Sequence, residues 1–326
     1  MRYGSVCSGV EAASVAWESL GWKPVFFSEI EDFPSAVLKH HWPEIPNMGD
    51  MTKFEEWGYE RGAVDVLVGG TPCQSFSIAG LRGGLNDERG NLALTYCRMV
   101  DRLRPRWFIW ENVPGVLSSN GGRDFSSIVS AMAQLGYSLA WRVLDAQNFG
   151  VAQRRRRVFI VGCSSGDWRD PSQVLFEQPS SDRDIETRRE ARKETSGSYI
   201  PRVAGSLDTQ CGGGKLTHQS AANGHLIINP PEVMGTITAR MFNALGARDI
   251  EEGAIQAVEG IETRIRKLTP IETERLQGFP DNHTNIPWRG KDVSPDGGRY
   301  KAMGNSMAVP VMRWIGQRIQ MRENIH

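Results

Sequence analysis

Short apolar runs alternate along the first half of the chain with segments whose apolar residues recur at helical spacing. The runs have strand length, and we predict buried strands at residues 2–6, 24–28, 64–68 and 106–110. The intervening segments 12–20, 33–41 and 91–103 predict helices that pack on the sheet. Strands alternating with helices predict an α/β fold, a doubly wound and mostly parallel sheet with helices on both faces.

Acidic or reactive side chains follow several of these strands. Glu29 and Asp50 come after the second strand and a short third segment, while Cys73 and Glu111 follow the next two strands. Ligands gather at the carboxyl ends of parallel strands, so we expect these four side chains to lie close together. Cys73 by itself is either a buried structural thiol or a nucleophile, and its own stretch of sequence leaves both open.

Glu29 lies about 20 residues beyond the first turn, where a nucleotide-binding α/β unit places an acid on the ribose hydroxyls. Only Gly9 stands in that first turn, so the glycine fingerprint of such units is incomplete. The spacing favours a ribose-binding role for Glu29, and a solvated loop acid is the alternative.

Two further segments predict function. Residues 74–90 are rich in glycine and contain Arg82 and Arg89, which is typical of a lid and less so of a disordered surface loop. A basic run then leads directly into a buried strand, with Gln153, Arg155 and Arg157 on one face, and this favours an anion- or base-facing role. The other face carries Arg154 and Arg156.

The composition narrows the class of protein. The chain has 326 residues with 38 basic and 38 acidic side chains, so net charge alone gives no sign of a nucleic-acid partner. Five cysteines without CxxC spacing argue against a disulfide framework and a zinc site, and they favour a reducing cytoplasm. The first residues lack a signal-peptide core, and no apolar stretch approaches the about 20 residues that span a bilayer.

From residue 164 the chain becomes rich in glycine and polar residues, which predicts a smaller and irregular second domain. Order returns at Thr269, a predicted helix N-cap followed by Pro270, with Gly278 as the stop. We divide the chain into a catalytic and cofactor-binding domain, 1–163 plus 290–326, and a recognition domain, 164–289. We expect the last helix to return and pack near residues 9–20.

Five motifs occur in a specific order. They are Thr71-Pro72-Cys73-Gln74, Glu111-Asn112-Val113, Gln153-x-Arg155-x-Arg157, Arg275-Leu276-Gln277-Gly278-Phe279 and Gly304-Asn305-Ser306. Together they resemble the motif series of the C5-cytosine DNA methyltransferases, and the likeness covers about 1–163 and 264–326. The resemblance implies a Rossmann-like S-adenosylmethionine-dependent methyltransferase fold, with residues 164–262 at the place of that family's variable target-recognition domain.

Carried over position by position, the resemblance implies a role for each matching residue. The catalytic set is Cys73 as nucleophile, Glu111 at cytosine N3, and Arg155 and Arg157 beside a flipped-out base. The predicted S-adenosyl-L-methionine site comprises Ser8, Gly9, Val10, Glu29, Ile30, Asp50, Met51, Gly70, Pro72, Leu92, Asn305 and Ser306. The predicted contacts to double-stranded DNA are Gln74, Ser77, Arg82, Arg89, Thr238 and Arg240.

The first motif departs from the family pattern, which usually reads Phe-x-Gly-x-Gly. Cys7 stands in place of the aromatic residue that would pack on adenine, and Glu11 replaces the second glycine.

Thiolate addition at C6 activates C5 of cytosine for methyl transfer, so the implied chemistry needs no metal. The resemblance further implies a monomer in the cytoplasm of a bacterium or a phage-infected host, with a cognate restriction endonuclease as an optional partner. An RNA methyltransferase of the same fold is the first alternative. A catalytically silent DNA-binding protein is the second, and the intact Cys73 and Glu111 argue against it. The target sequence does not follow from these residues.

Overall fold

The computed structural model describes residues 1–72, 92–177, 227–228, 265–266 and 268–325. Its centre is a six-stranded sheet of mixed direction. The strands are β1 (Arg2–Val6), β2 (Lys23–Ser28), β3 (Val66–Gly69), β4 (Trp107–Asn112), β5 (Ser138–Asp145) and β6 (Arg156–Cys163). A separate antiparallel pair is formed by β7 (Ile227–Ile228) and β8 (Ile265–Arg266).

The spatial order of the large sheet is β2-β1-β3-β4-β6-β5. Strands β1 to β4 pair in parallel, and β6 pairs antiparallel with both β4 and β5. Since the chain passes from β1 to β2 on one side and then to β3 on the other, the strand order reverses between β1 and β3. Ligands of open α/β sheets bind in the crevice at such a switch point, outside the carboxyl ends of the strands.

Helices cover both faces of the sheet. They are α1 (Ala12–Trp17), α2 (Asp32–His41), α3 (Leu92–Leu103), α4 (Arg123–Gln134), α5 (Arg169–Leu175), α6 (Pro270–Gln277), α7 (Asp296–Asn305) and α8 (Val309–Glu323). Alternate residues of the strands face opposite cores, as the period of two requires. Val66, Val68 and Ile109 pack with α1 and α8, whereas Leu67 and Phe108 pack with α3 and α4. The predicted doubly wound architecture is confirmed.

The C-terminal helix α8 packs on α1, as the sequence predicts. The Trp17 indole donates a hydrogen bond to the carbonyl of Met312, 2.8 Å away. A Cβ at Gly316 would lie 2.4 Å from the Trp17 ring nitrogen, so the two helices approach too closely for any side chain there. The last part of the chain therefore completes the first core.

Residues 268–289 also pack in the core of the sheet domain, although the sequence-based division assigns them to recognition. Leu268, Leu276, Phe279 and Ile286 belong to the same buried cluster as Tyr3 and Trp17 of the sheet domain. The division into two domains stays a prediction, because most of 178–267 lies outside the described residues.

The helix α6 has the ends that its sequence predicts. Thr269 accepts from the Glu272 amide, and the Glu272 carboxylate accepts from the Thr269 amide in return, so a capping box forms. Gly278 ends the helix at φ 79°, the left-handed conformation that favours glycine.

Several predicted bounds differ from the structure, such as the start of β3, which lies at Val66 and not at residue 64. The helix from Ala12 becomes a 3-10 segment at Glu18–Leu20 before Gly21 ends it. Strand β4 continues to Asn112, so Glu111 lies within the strand and not after it. The physical reason is β6, which pairs with β4 as far as Asn112 and Val158 and so extends it.

No helix in the described ranges is long and apolar enough to cross a membrane.

Candidate active site

A cleft opens at the carboxyl ends of β1 and β3, the switch point of the sheet. About 400 Å³ of space lies between its walls, part of it open to solvent. It is lined by Ser5, Cys7, Ser8, Gly9, Glu11, Ala12, Ala13, Val68, Gly70, Glu111, Asn305, Ser306 and Met307. The cleft thus joins five predicted cofactor residues with the predicted catalytic Glu111; the five are Ser8, Gly9, Gly70, Asn305 and Ser306.

The loop between β1 and α1 makes a left-handed turn around one end of the cleft. Cys7, Gly9 and Glu11 have φ values of 50°, 57° and 65°. The Ser8 amide donates to the carbonyl of Ser28 at 3.1 Å, and the Gly9 amide donates to the Glu29 carboxylate at 2.8 Å. The turn is therefore fastened to the end of β2.

Glu29 is oriented by backbone amides. Its two carboxylate oxygens accept from the amides of Gly9 and Glu31, both at 2.8 Å. Ile30, the next residue, exposes 72% of its surface, and a ligand stacked there would cover it. Glu29 therefore lies against the loop of residues 7–11, with Ile30 next to it. The sequence predicts that Glu29 contacts the ribose of the cofactor.

Asp50 and Met51 lie on the other side of β2. Asp50 caps the 3-10 segment Met51–Trp57 by accepting from the Thr52 amide at 2.9 Å. The Met51 side chain is buried, with its sulfur 3.5 Å from the Cys7 sulfur. Burial, and then the nearby carboxylates of Glu29 and Asp50, raise the pKa of the Cys7 thiol to about 12. Cys7 is therefore a neutral packing residue at neutral pH.

The chain that leads to Cys73 is pinned after β3. The Trp110 indole donates to the Thr71 hydroxyl at 3.0 Å, and the Asn112 amide donates to the Thr71 carbonyl at 2.8 Å. Beside it, a Cβ at Gly70 would lie 3.0 Å from a Glu111 carboxylate oxygen. Strand β4 thus fixes the residues just before Cys73 and places Glu111 against them.

Glu111 and Arg157 form an ion pair across β4 and β6. The Arg157 Nε lies 3.1 Å from the Glu111 carboxylate. The Glu111 side chain exposes only 12% of its surface and the Arg157 side chain only 14%. Hydrogen bonds between charged groups with so little exposure are stronger than neutral ones.

The predicted alternation of the basic run is confirmed: Gln153 and Arg155 are buried, while Arg154 and Arg156 are exposed.

Arg155 contacts the C-terminal turn. Its guanidinium donates to the carbonyls of Gly304 at 3.2 Å and Ser306 at 2.6 Å. Burial, and then the charge of Arg157, lower its pKa to about 9, which leaves it charged at neutral pH. The contact that the structure shows for Arg155 fixes the Asn305 segment against the sheet. Its predicted place beside the base stays a prediction.

Two residues of this site carry no role in the sequence-based assignment. Gln277 donates to the carbonyls of Met303 at 2.7 Å and Ser306 at 3.3 Å. The nitrogen Nε2 of His283 lies 2.9 Å from the carbonyl of Val10. A carbonyl only accepts, so His283 donates there. Gln277 lies inside one of the five ordered motifs, which was the available signal, whereas nothing near His283 marks it.

Burial, above all, lowers the pKa of His283 to about 4. The ring is therefore neutral at physiological pH, and it stacks on His41 with 4.2 Å between ring centres. Through its hydrogen bond to Val10, His283 connects residues 268–289 to the loop between β1 and α1.

Several predicted site residues lie outside the described residues. They are Cys73, Gln74, Ser77, Arg82, Arg89, Thr238 and Arg240. Pro72 is exposed at the boundary of the described part, and Leu92 begins α3 on the far side of that gap. These roles stay predictions.

The charges of the cleft fit a cationic organic group. Its described lining includes two acidic residues, Glu11 and Glu111, and contains neither lysine nor arginine. Gly70 leaves space in the cleft that a Cβ would fill at 3.2 Å from Met307. In the part of the chain that the structure describes, no three His, Cys, Asp or Glu side chains gather as metal ligands would. The donor set suits a cofactor such as S-adenosylmethionine, with its sulfonium and ammonium charges.

The fold is the Rossmann-like fold of methyltransferases. The solved structure of the methyltransferase EhMeth from Entamoeba histolytica superimposes with a TM-score of 0.60 at 13% identity. The alignment covers 99% of this chain and 98% of that one.

Sequence comparison then gives the family. Residues 1–321 match the model described as C-5 cytosine-specific DNA methylase, and the chain belongs to this family of S-adenosylmethionine-dependent enzymes.

Two curated relatives show how much of a longer protein the chain matches. A protein of Escherichia phage P1 named DNA N-6-adenine-methyltransferase is 36% identical, over 97% of this chain and 61% of its own length. The Type II methyltransferase M.SsoII of Shigella sonnei is 33% identical, over 90% of this chain and 73% of its own. The chain thus spans less than two thirds of the phage relative.

Proposed function

We propose that this protein transfers a methyl group from S-adenosylmethionine to C5 of a flipped-out cytosine in a specific duplex DNA sequence. The observation that carries the proposal is the Glu111–Arg157 ion pair beside Gly70, where the pinned chain leads into Cys73. This pair supplies a carboxylate and a guanidinium to one base edge. Family membership supports the same substrate class.

The reaction must overcome the weak nucleophilicity of cytosine C5. We propose that the Cys73 thiolate adds to C6 of the ring, which forms a carbon–sulfur bond and makes C5 enamine-like. When the proton on C5 is later lost to a base, the electron pair re-forms the C5–C6 double bond and expels the Cys73 thiolate. The rigid Thr71-Pro72 approach suits this role, since covalent catalysis needs a fixed attack direction.

Glu111 and Arg157 act on the charge that develops in the ring. We propose that the Glu111 carboxyl group donates a proton or a hydrogen bond to cytosine N3, where negative charge accumulates as the thiolate adds. The Arg157 Nε holds the Glu111 carboxylate in place, its Nη1 donates to the carbonyl of Arg156 at 2.8 Å, and its Nη2 faces the base in this proposal. Arg155 serves as a positioning residue in this proposal, because its guanidinium is engaged by the backbone of the C-terminal turn.

The cofactor site combines three parts of the chain. Ser8, Gly9 and Val10 would hold the methionine end, Glu29 the ribose and Asp50 the adenine, with Asn305 closing the cleft from the C-terminal side. When bound, S-adenosylmethionine supplies an electrophilic methyl group on its sulfonium sulfur. The Glu29 carboxylate is already aimed by two backbone amides, which reduces the cost of ordering it.

A base inside a duplex is out of reach of Cys73 and Glu111, so the target must be extruded. We propose that Arg82, Arg89 and the exposed Arg154 and Arg156 contact phosphates, which position the DNA without reading its sequence. Base reading falls to 164–262 in this proposal, and Thr238 and Arg240 lie there.

A second activity is favoured by one observation, the name of the phage P1 relative, which refers to adenine N6. This chain matches only part of that protein, and methyl transfer to an exocyclic amine needs no thiolate nucleophile such as the proposed Cys73. We therefore propose cytosine C5 as the methylated position, and the experiment also measures methylation of adenine N6.

The test is expression in a host without endogenous 5-methylcytosine, followed by mass spectrometry of the nucleosides and bisulfite sequencing. We expect 5-methylcytosine at one short sequence and no N6-methyladenine. Cys73→Ala should abolish the product. Absence of 5-methylcytosine with the folded wild-type protein would overturn the proposal, and N6-methyladenine alone would establish the second activity.

The matched control is Cys163→Ala. Cys163 pairs with Trp107 at the opposite end of β4, so the same substitution there leaves the site intact. A DNA duplex with 5-fluorocytosine at the target adds a direct test of covalency, because fluorine at C5 blocks the proton loss. We expect a denaturation-resistant complex with wild type and Cys163→Ala and none with Cys73→Ala.

A further inference from the structure

Glu11 is a buried carboxyl group at the methionine end of the cleft. It stands at φ 65°, a conformation that glycine adopts more readily, and it is only 1% exposed. Glu11 also lines the cleft together with Glu111 and Gly70. Glu11 caps the N-terminus of α1, but a small neutral side chain fills that role as well, so capping does not require a large buried acid.

The hydrogen bonds of Glu11 come from neutral donors. One carboxylate oxygen accepts from the Ser5 hydroxyl at 2.7 Å, and the other accepts from the amide and hydroxyl of Ser14, both at 3.1 Å. Within the ranges that the structure describes, no lysine, arginine or histidine forms an ion pair with it. A buried carboxylate without a cationic partner is costly to ionise.

The charged or titratable groups around Glu11 increase that cost. The carboxylate of Glu29 acts on it from the loop after β2, and Tyr3 faces it from β1. Glu111 shares the cleft, while the C-terminal turn contributes only uncharged side chains. Burial above all raises the pKa of Glu11 to about 7, and the bonds from Ser5 and Ser14 partly oppose this.

We propose that Glu11 is the counter-charge for the positive methionine end of the methyl donor. This inference rests on the proposed function for its ligand and goes beyond it by assigning the side chain that recognises the charge. A cation that enters the cleft favours the ionised carboxyl, so binding expels a proton from Glu11 to solvent. The cofactor thus supplies the cationic partner that the buried carboxylate lacks in the free protein, and this attraction contributes to the free energy of binding.

The experiment measures heat and proton release when the DNA-free protein binds three probes. Titration calorimetry at pH 7 in two buffers of different ionisation enthalpy gives the protons released per ligand. We expect about half a proton with S-adenosylmethionine, since a group with a pKa of about 7 is half protonated there. Methylthioadenosine, which lacks the charged methionine end, should release almost none.

Glu11→Gln is the decisive variant, because it removes the charge and keeps acceptors and donors for Ser5 and Ser14. We expect affinity for S-adenosylmethionine to fall about tenfold and the proton release to vanish. Glu18→Gln, the same change on the exposed end of the same segment, should leave both unchanged. The demethylated product S-adenosylhomocysteine keeps the ammonium charge and lacks the sulfonium charge. If Glu11→Gln lowers its affinity as much as that of S-adenosylmethionine, Glu11 pairs with the ammonium. A smaller loss of affinity for the product assigns Glu11 to the sulfonium.

Unchanged affinity and proton release in Glu11→Gln would overturn the inference and leave Glu11 as a helix cap alone. If that variant does not fold, the absence of proton release in the wild type overturns the inference equally. Failure of folded wild type to bind S-adenosylmethionine or its product would overturn the proposed function as well, so the two failures are distinct.

Discussion

The loop at residues 7–11 and the paired strands β4 and β6 line the same cleft, and each contributes one glutamate. Glu111 on the strands faces Arg157 at 3.1 Å, so its charge is compensated before any ligand arrives. Glu11 in the loop is buried among neutral donors and has a pKa raised to about 7. The Glu111–Arg157 pair on the strands is therefore already formed in the free protein. In the loop, Glu11 obtains its cationic partner only when the ligand binds.

The two regions are also braced differently. Strand pairing from Trp107 to Asn112 fixes Glu111 directly through the backbone ladder. The loop depends on long-range side-chain contacts, with Glu29 holding Gly9 and His283 holding Val10. Substitutions on the two sides should therefore separate effects on rate from effects on binding and stability.

The largest effect is expected at Glu111. Glu111→Gln removes the charged group beside the base, and we expect the single-turnover methylation rate to fall about 10²–10⁴-fold. Cofactor affinity should change less than about threefold, because the loop side is untouched. Rapid-quench measurement with labelled cofactor gives both quantities.

The control for that change is Glu323→Gln. Glu323 pairs with Arg106 at 2.8 Å near the other end of β4, so it repeats the loss of a paired glutamate away from the cleft. A rate loss in Glu323→Gln equal to that in Glu111→Gln would show that strand integrity, and not the charge at the base, sets the rate.

An intermediate effect is expected for the stability of the ligand-free protein. The folded pKa of Glu11, about 7, is raised above its unfolded value near 4.5, so the folded state holds the proton more tightly. Its contribution to stability is fully present below pH 4.5 and is lost as the pH rises to about 7. The free energy of unfolding of Glu11→Gln should therefore exceed that of wild type at pH 8, by up to about 3 kcal/mol, and this advantage should vanish at pH 4.5.

Denaturant melts of both proteins across this pH range measure the difference. The titration of His283 has the opposite sign, since its lowered pKa removes stability as pH falls from 6.5 toward 4, but it is common to both proteins and cancels. A pH-independent difference between the two curves would contradict the raised pKa of Glu11.

The smallest effect is expected at the contact between the two sides. Gly70→Ala would place a Cβ at 3.0 Å from Glu111 and 3.2 Å from Met307, closer than ordinary contact. We expect about a tenfold loss in kcat/KM, because the catalytic groups shift by a few tenths of an ångström. Gly297→Ala is the matched control, since a Cβ there meets nothing within 4 Å. Equal activity of the two variants would mean that the cleft tolerates the added methyl group.

The sequence alone predicted five of the six strands of the large sheet, most helices and the ends of α6, because these follow from local periodicity and local capping. The alternation of buried and exposed arginines before β6 is of the same kind. The ordered motifs also identified the family, which the comparison with known sequences confirmed.

What only the tertiary structure decided are contacts between residues far apart in sequence. Arg155 reaches the carbonyl of Ser306, and His283 reaches that of Val10. No period or spacing encodes such pairs, because they depend on the order of strands in the sheet and on the return of the last helices. The burial of Glu11 is the clearest case. In the sequence Glu11 only replaces a glycine of the first motif. The packing of Ser5, Ser14 and the surrounding core around it is what creates a carboxyl group with a raised pKa.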